Sequence, residues 1–201
     1  MSTAEHPDID PSHAALVVMD YQNGIVGMVD NGDELVAHTA ELIRSFREHG
    51  GTIGYVRVGF ADGELDDVPA TSGMARNITP ERREFMHADA PATQIHDAIA
   101  PQPGDVVVRK QRVGAFSTTD LHEQLQTRGI DTLLLAGIST SGCVHSTVLD
   151  AFDRDYRVIV VADACADPDA EAHRFLLERV FPKRGEVIKI SDLDDTLSSQ
   201  V

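Results

Sequence analysis

The stretch LLLAGISTSGCVHSTVLDAF, residues 133–152, predicts a buried strand, a turn and a helix in direct succession. Its apolar run ends at Ile138, small and polar residues follow, and apolar residues then recur at helical spacing. A second apolar run, RVIVVADAC, follows at 157–165. Both runs are continuous rather than alternating, which is typical of strands buried on both faces of a parallel sheet. The stretch therefore predicts a strand–helix–strand unit with Cys143 in its first turn.

The same alternation extends outward along the chain. Apolar runs rich in β-branched residues predict six strands, at 14–20, 52–60, 105–110, 132–138, 157–165 and 186–191. Helical patterns are predicted at 33–51, 118–130, 143–155 and 169–181. Strands that alternate with helices favour right-handed crossovers with helices on both faces of a sheet. We expect one α/β domain over residues 1–201, a three-layer αβα fold with a six-stranded, mostly parallel sheet in the order 3-2-1-4-5-6.

The composition favours a small-molecule partner over a polyanion. The chain has 201 residues, 42% of them hydrophobic, and a formal net charge of −16, which would repel nucleic acid and anionic membranes. No apolar run approaches the length that spans a bilayer, and the first residues lack a signal-peptide pattern. With two cysteines and no disulfide framework, a cytoplasmic location is expected.

Residues 61–104 interrupt the alternation of strands and helices. They contain several prolines and glycines, two short apolar patches and no clear strand. A connection of this length in a compact domain often forms a lid or part of a binding site. The alternative is a surface excursion that packs against a neighbouring subunit.

Three reactive side chains are expected at the carboxyl ends of the predicted strands, where ligands bind in open α/β sheets. Asp20 ends the first strand, Lys110 ends the third, and Cys143 lies in the turn after the fourth. A helix N-terminus and a nearby ammonium would lower the pKa of the thiol and favour thiolate, and a carboxylate could accept its proton. Taken singly, each residue has a structural alternative: a cap, a solvated lysine and a small buried hydrophobe.

Other chemistries have weaker support in the residues. The spacing of Gly137 and Gly142 around Ser139 departs from the GxSxG nucleophile elbow of serine hydrolases. Asp62 and Glu64 could bind a cation, although an ordinary acidic loop is the simpler interpretation. A thiol redox protein that uses Cys143 and Cys165 at adjacent strand ends stays open, without a CxxC spacing to favour it.

Three blocks of the sequence resemble the isochorismatase-like cysteine hydrolases. VVMDYQNGIV at 17–26 resembles their DxQN signature. KQRVGAFSTTDL at 110–121 resembles their KxxxSAFxxTxL block, with Gly114 in place of the usual serine. AGISTSGCVHSTVLDAFDRDYRVIVVADACAD at 136–167 resembles their GxxTxxCVxxTxxDA block and the strand that follows it. The resemblance extends over about residues 14–190.

The resemblance implies a catalytic triad of Asp20, Lys110 and Cys143. Cys143 would attack a carbonyl carbon, Asp20 would pass the thiol proton to the leaving amine, and Lys110 would stabilise the charged states. Water would then hydrolyse the thioester, with Asp20 as the base. The resemblance also implies a cis peptide bond between Ile138 and Ser139, with the N–H groups of Ser139 and Cys143 directed at an oxyanion.

Departures from the family pattern narrow the expected substrate. The segment GFADGELDD at 59–67 lacks the histidine of the nicotinamidase metal site, so we expect no catalytic metal and no cofactor. Isochorismatases that cleave a vinyl ether lack the cysteine, so Cys143 favours the C–N bond of a small amide or ureide. His145 stands where related amidases tend to carry arginine, which weakens the case for a carboxylate-bearing substrate.

The remaining expectations concern the pocket, the assembly and the alternatives. Tyr21, Gln22, Phe116, Thr140 and residues 61–90 are expected to shape the pocket. Gln22 is expected to brace its turn, whereas Phe116 either stacks on substrate or packs in the core. The resemblance suggests a homo-oligomer. The alternative functions are isochorismatase-type or nicotinamidase activity, or a catalytically inactive binding protein with the same fold.

Overall fold

A six-stranded, all-parallel sheet in the order 3-2-1-4-5-6 forms the centre of the protein, which confirms the predicted α/β fold. The computed structural model describes residues 8–197, so both ends of the predicted domain, 1–7 and 198–201, lie outside the described residues. The strands are β1 (Ala14–Met19), β2 (Thr52–Val58), β3 (Val106–Lys110), β4 (Thr132–Ile138), β5 (Arg157–Ala166) and β6 (Glu186–Ile188). The α-helices are α1 (Asn23–Val26), α2 (Gly32–Glu48), α3 (Pro80–Met86), α4 (Leu121–Thr127), α5 (His145–Asp153), α6 (Ala170–Phe175) and α7 (Ile190–Leu197).

The two central strands, β1 and β4, are buried along their whole length. Alternate residues of β1 face different cores because successive side chains of a strand point to opposite faces. Ala15, Val17 and Met19 pack in the core that contains residues of α4 and α5. Leu16 and Val18 pack in the core that contains residues of α2 and Leu193 of α7. Helices therefore cover both faces of the sheet, which explains the continuous apolar runs in the sequence.

Helix α2 ends at a pair of glycines, as the sequence predicts. Gly50 has a left-handed backbone, with φ of +83°, which favours glycine over residues with a side chain. At Gly51 an added Cβ would lie 2.3 Å from the ring of Phe46, so this glycine allows the buried ring to pack beneath the chain.

Several predicted elements have different bounds in the structure. The predicted strand 186–191 ends at Ile188, because the carboxylates of Asp163 and Asp192 accept hydrogen bonds from the N–H groups of Ile190 and Lys189 and α7 begins there. The predicted helix 118–130 is only α4, since Thr118 has a left-handed backbone with φ of 64°. The predicted helix 169–181 is α6 followed by a π-helical turn at Leu176–Val180.

The segment 61–104 folds as short helices near the carboxyl edge of the sheet. It contains α3 and three 3-10 turns, at Gly73–Asn77, Pro91–Thr93 and Asp97–Ile99. Isolated bridges join Phe60 to His87 and Gln22 to Ile95, so the second half of the segment is tied to residues that follow β2 and β1. Among residues 8–197, no helix combines the length and the apolar character that a membrane span needs.

Candidate active site

Asp20 lies at the edge of the sheet where β1 ends, and its backbone turns sharply there. Its N–H donates to the carbonyl oxygen of Val56 at 2.8 Å, which extends the pairing of β1 with β2 by one residue. Its φ of 59° is in the left-handed region, which aspartate tolerates better than most residues. The side chain is buried, with 6% of the residue exposed. The turn therefore holds a carboxylate inside the protein.

Lys110 ends β3 and forms a buried ion pair with Asp20. Its Nζ lies 2.7 Å from Oδ2 of Asp20 and also donates to the carbonyl oxygen of Val113. Lys110 has no exposed surface. A fully buried ammonium is stable only with such partners, because its desolvation is otherwise costly.

Cys143 lies in a π-helical turn, Thr140–Val144, that leads directly into α5. The residue is 2% exposed, and its Sγ lies 3.6 Å from the carbonyl oxygen of Ser139. The peptide bond between Ile138 and Ser139 is cis. At Gly137, an added Cβ would lie 3.2 Å from this Sγ and 2.9 Å from Cγ2 of Val144. Glycine at 137 therefore leaves room for the sulfur against the end of β4.

The surroundings of Cys143 oppose the expected thiolate in the resting site. Burial raises the pKa of the Cys143 thiol well above its usual value, and the charge of Asp20 adds to the rise. Lys110 acts in the opposite direction, but its ammonium is already paired with Asp20. The resting site therefore holds a neutral thiol beside a buried ion pair.

Asp20 is arranged to accept a proton. Burial raises the pKa of its carboxyl, and this effect outweighs the lowering by Lys110 and by the Cys143 thiol. Oδ2 is held by Lys110, whereas buried Oδ1 has no hydrogen-bond partner within residues 8–197. A carboxylate with a raised pKa is a stronger base than an ordinary aspartate. The structure thus combines a nucleophile, a base and a fixed cation.

These three residues line a cavity of about 310 Å³, the Cys143 cavity. Its other walls come from α1 and the residues after it, β2, the 61–104 segment, the turn after β3, the end of β4 with its following turn, and the loop after β5. They comprise Ile25, Met28, Val58, Met74, Arg112, Val113, Ile138, Ser139, Gly142 and Pro168. A cavity of this size holds a small molecule.

Gln22 braces the turn that carries Asp20. Its Oε1 accepts from the N–H of Val58 at 2.7 Å, and its Nε2 donates to the carbonyl oxygens of Val58 and Thr93, both at 2.7 Å. Both amide atoms are therefore engaged by the protein, as the bracing hypothesis expects.

Tyr21 and Thr140, which were expected to shape the pocket, point elsewhere. The Tyr21 hydroxyl donates to the carbonyl oxygen of Ala164 at 2.8 Å and lies 2.7 Å from the hydroxyl of Thr39. Thr140 is fully buried, and its Oγ1 contacts the carbonyl oxygen of Ala166 at 3.2 Å and Nδ1 of His173 at 2.8 Å. Both residues hold the backbone around the site, and neither lines the Cys143 cavity.

Phe116 is also absent from the walls of the Cys143 cavity. Its ring stacks on Tyr156, with centroids 5.9 Å apart, and the guanidinium of Arg154 lies 5.0 Å from its centroid. Of the two alternatives, packing in the core is the one that the structure shows. His145 likewise faces away, with its ring 6.1 Å from that of Phe181.

The acidic loop after β2 has structural partners. Glu64 forms a bidentate ion pair with Arg109, at 2.6 and 3.1 Å, and accepts from the N–H of Ala61. Asp62 lies 3.2 Å from Nε2 of His87. Within the described part of the chain, no group of three or more His, Cys, Asp or Glu side chains is placed to hold a metal ion.

Cys165 is buried, with Sγ 3.7 Å from the carbonyl oxygen of Leu135. Burial raises the pKa of its thiol to about 12. A thiol in such surroundings is a poor nucleophile, which weighs against the thiol redox hypothesis.

Sequence reasoning missed the cavity residues contributed by short elements. Ile25 and Met28 lie in or directly after α1, which has only four residues and therefore no readable helical period. Arg112 and Val113 follow Lys110 by two and three residues. Their position directly after the end of β3 is the sequence feature that could have identified them as cavity residues. Arg112 places a second cation in the wall of the cavity, and its Nη1 donates to the carbonyl oxygen of Gln111.

Comparison with known proteins agrees with this geometry. The isochorismatase domain model matches residues 14–192. The isochorismatase family protein YwoC of Bacillus subtilis is 38% identical over 179 residues, covering 89% of this chain and 91% of that protein. Maleamate amidohydrolase of Pseudomonas putida is 31% identical over 169 residues, covering 84% and 69%.

A solved structure gives the same result. N-carbamoylsarcosine amidase from Thermoplasma acidophilum matches with a TM-score of 0.70 and 29% identity, covering 88% of this chain and 96% of that one. The family model spans nearly the whole described chain. The chain therefore belongs to the isochorismatase family of hydrolases.

Proposed function

We propose that the protein is a cysteine-dependent amidohydrolase that cleaves the C–N bond of a small amide or ureide through a thioester. The observation that carries this proposal is the unpartnered Oδ1 of Asp20 beside the Cys143 thiol, on the wall of a small-molecule cavity. Two relatives, maleamate amidohydrolase and N-carbamoylsarcosine amidase, are named for C–N hydrolysis.

The first half-reaction forms the thioester. Asp20 takes the thiol proton as the sulfur of Cys143 attacks the carbonyl carbon of the substrate. The oxygen of the tetrahedral intermediate carries the developing negative charge. Collapse breaks the C–N bond, and Asp20 gives its proton to the leaving nitrogen. Proton removal and attack occur together because the resting thiol is neutral.

The second half-reaction returns the enzyme to its starting state. Asp20 removes a proton from water, and the resulting hydroxide attacks the thioester carbonyl. Collapse breaks the C–S bond, and the proton on Asp20 returns to the sulfur. Lys110 keeps its contact with Oδ2 throughout, so the carboxylate changes protonation at Oδ1 without losing its orientation.

The turn before α5 supplies the oxyanion donors in this mechanism. Ser139 and Cys143 bracket the turn, and Ser139, Gly142 and Cys143 line the cavity. The N–H groups of Ser139 and Cys143 lie at the N-terminal end of a helical segment, where the backbone dipole favours negative charge. Removal of one such donor typically costs about 3 kcal/mol of barrier stabilisation.

The test is release of ammonia from a panel of primary amides and ureides. We expect the native protein to release ammonia from at least one compound and Cys143→Ala to release none. Cys165→Ala is the matched control, because it removes the other buried thiol without touching the cavity. Cys143-independent release, or no release from any compound, would contradict the proposal.

A further inference from the structure

A second cavity of about 420 Å³ adjoins the Cys143 cavity. The two share three wall residues: Ile25, Met28 and Val58. We name the second cavity the apolar groove; its other apolar walls are Phe60, Phe85, Met86 and Ala92. Its lining residues come from α1 and the residues beside it, the end of β2, α3 and residues 92–93, and none of them lies in the turn that carries Cys143.

The polar groups in the walls of the apolar groove are already occupied. Gln22 uses both amide atoms to bind Val58 and Thr93, and the Thr93 hydroxyl donates to the carbonyl oxygen of His87 at 2.7 Å. Arg82 is the charged residue among the lining residues, and it is exposed. A polar substrate group would therefore find few free partners in the groove, whereas an apolar group would lose nothing by entering it.

Two large apolar side chains stand exposed at the groove. Met28 is 65% exposed and Phe85 is 66% exposed. Covering apolar surface of this kind is favourable in proportion to the area removed from water. Their position beside a cavity that reaches Cys143 means that a substrate could cover them while its carbonyl lies at the sulfur.

The close approach of the backbone shapes the floor of the groove. At Gly24 an added Cβ would lie 3.0 Å from Cβ of Ala92, and at Gly59 it would lie 3.1 Å from Cα of Ala88. Both glycines line the groove. The 61–104 segment therefore packs directly on α1 and on the end of β2, and it closes one side of the groove.

We propose that the apolar groove binds an apolar acyl substituent, so that the preferred substrates are amides or ureides whose acyl side carries an alkyl or aryl group. This inference rests on the proposed amidohydrolase function of the same site. The acyl part is the part retained on Cys143 after the amine leaves, so its binding would help in both half-reactions. A binding site for the leaving group would help only in the first.

The activity test is a series of unbranched primary amides from acetamide to octanamide. We expect kcat/KM to rise about fourfold with each of the first added methylenes, the factor that corresponds to about 0.8 kcal/mol per buried CH₂. Phe85→Ser should flatten this dependence and lower kcat/KM for octanamide more than for acetamide. Phe175→Ser is the matched control, because Phe175 is 57% exposed and lines neither cavity.

A binding test separates this inference from the proposed chemistry. Calorimetric titration of Cys143→Ala with the same amides should show affinity that increases with chain length, and the Cys143→Ala/Phe85→Ser double variant should lose that increase. Flat affinity and flat kcat/KM, with Cys143-dependent ammonia release intact, would overturn the groove and leave the amidohydrolase proposal standing. Chain-length-dependent binding without any ammonia release would support the groove and overturn the chemistry.

A second copy of this chain is the competing occupant of the groove. Sedimentation of the native protein and of Phe85→Ser decides between the two. We expect both to have the same assembly state. Conversion of an oligomer to a smaller species by Phe85→Ser would show that the groove is a subunit interface and would overturn the inference.

Discussion

The two oxygens of the Asp20 carboxylate are in different surroundings, and this difference determines how the site is charged. Oδ2 binds Lys110 at 2.7 Å, whereas Oδ1 is buried without a hydrogen-bond partner in the described chain. The ion pair already balances one positive and one negative charge. A thiolate at Cys143 would add an uncompensated negative charge in a buried place, so the neutral thiol is favoured until substrate arrives.

Alkylation by iodoacetamide tests this protonation state. Because the pKa of Cys143 is raised, we expect its alkylation rate to increase with pH along a curve whose midpoint lies at a higher pH than that of an ordinary thiol. Asp20→Asn removes the negative charge that adds to the rise and frees Lys110 to attract the thiolate. This variant should alkylate faster at pH 7 and yet lose about 10²–10⁴-fold in kcat, because the general base is gone.

Labelling is followed by mass spectrometry. The Cys143→Ala variant serves as the control, because any slow labelling that it shows occurs at Cys165 and is subtracted from the rate of the native protein. Slower alkylation of Asp20→Asn at pH 7 would show that Asp20 activates the resting thiol instead of raising its pKa. If the midpoint of the alkylation curve of Cys143 in the native protein lies at a lower pH than that of a free thiol, the resting cysteine is a thiolate, as the sequence predicts.

Removal of one member of the buried ion pair should destabilise the protein. Lys110→Met leaves the Asp20 carboxylate buried and unpaired, so we expect the free energy of unfolding at pH 8 to fall by about 3 kcal/mol. Burial raises the folded-state pKa of Asp20, and loss of Lys110 raises it further, so the folded variant binds a proton more readily than the unfolded chain does. Its stability should therefore decrease as pH rises through that folded-state pKa, and the loss should be smaller at pH 5 than at pH 8.

Urea denaturation at both pH values measures the effect. The double variant Asp20→Asn/Lys110→Met has no buried charge at these positions and should recover most of the stability while remaining inactive. Failure of the double variant to recover would mean that the shape of Lys110, rather than its charge, supports the fold.

The sequence predicted where the reactive side chains lie better than it predicted their protonation states. Asp20, Lys110 and Cys143 could be placed together because parallel strands end at one edge of a sheet. The pKa of Cys143 could not be predicted, because it depends on burial and on which partner already holds Lys110. The packing of Phe116 against Tyr156 was equally hidden, since these residues are far apart in the chain and meet only in the folded core.

Long elements were predictable and short ones were not. The predicted bounds of β4 match the structure, β1 ends one residue earlier than predicted, and α2 ends at Glu48, just before the predicted glycine pair. α1 has four residues, too few for a period, yet it contributes Ile25 to both cavities. The pairing of β4 with β5 also contains a register shift between Leu135 and Gly137, which no local pattern announces. Such features depend on contacts between elements.

The turn after β4 depends on the absence of a side chain at Gly137. An alanine Cβ there would lie 2.9 Å from Val144, 3.2 Å from Met19 and 3.2 Å from Sγ of Cys143. We expect Gly137→Ala to lower the free energy of unfolding by about 1–3 kcal/mol and to reduce kcat by displacing the nucleophile. Thermal denaturation and ammonia release measure the two effects.

Gly54→Ala is the matched control for this strand glycine. An added Cβ at Gly54 in β2 would meet its nearest neighbour at 3.8 Å, an ordinary contact. This variant should keep native stability and activity. Equal losses in both variants would show that any side chain in the sheet is disruptive and that the space around Cys143 has no particular role.

Across the whole molecule, a net charge of −16 makes the placement of each cation important. Ion pairs connect neighbouring parts of the sheet: Arg157 with Glu186 across β5 and β6, and Arg109 of β3 with Glu64 in the loop after β2. Arg109 also donates to the carbonyl oxygen of Gly59, so it fixes the loop that begins beside the apolar groove. Carboxylates outnumber the Lys and Arg side chains, so the excess adds repulsion as it ionises.

The Glu64–Arg109 pair should stabilise the protein at neutral pH and lose this effect in acid. Hydrogen bonds from Arg109 and from the N–H of Ala61 lower the pKa of Glu64 from its usual value to about 2. A carboxyl whose folded-state pKa is lowered contributes stability above its unfolded pKa, and this contribution is lost as pH falls toward the folded pKa. Glu64→Gln should therefore be less stable than the native protein by about 1 kcal/mol at pH 7, since the pair is partly exposed.

Urea denaturation from pH 7 to pH 2 should show the difference shrinking below pH about 4.5 and vanishing near pH 2. Glu178→Gln, which removes an exposed carboxylate without an ion pair among the described residues, should show no such pH-dependent difference. A difference for Glu64→Gln that stays constant down to pH 2 would mean that the side chain acts by packing and not by charge.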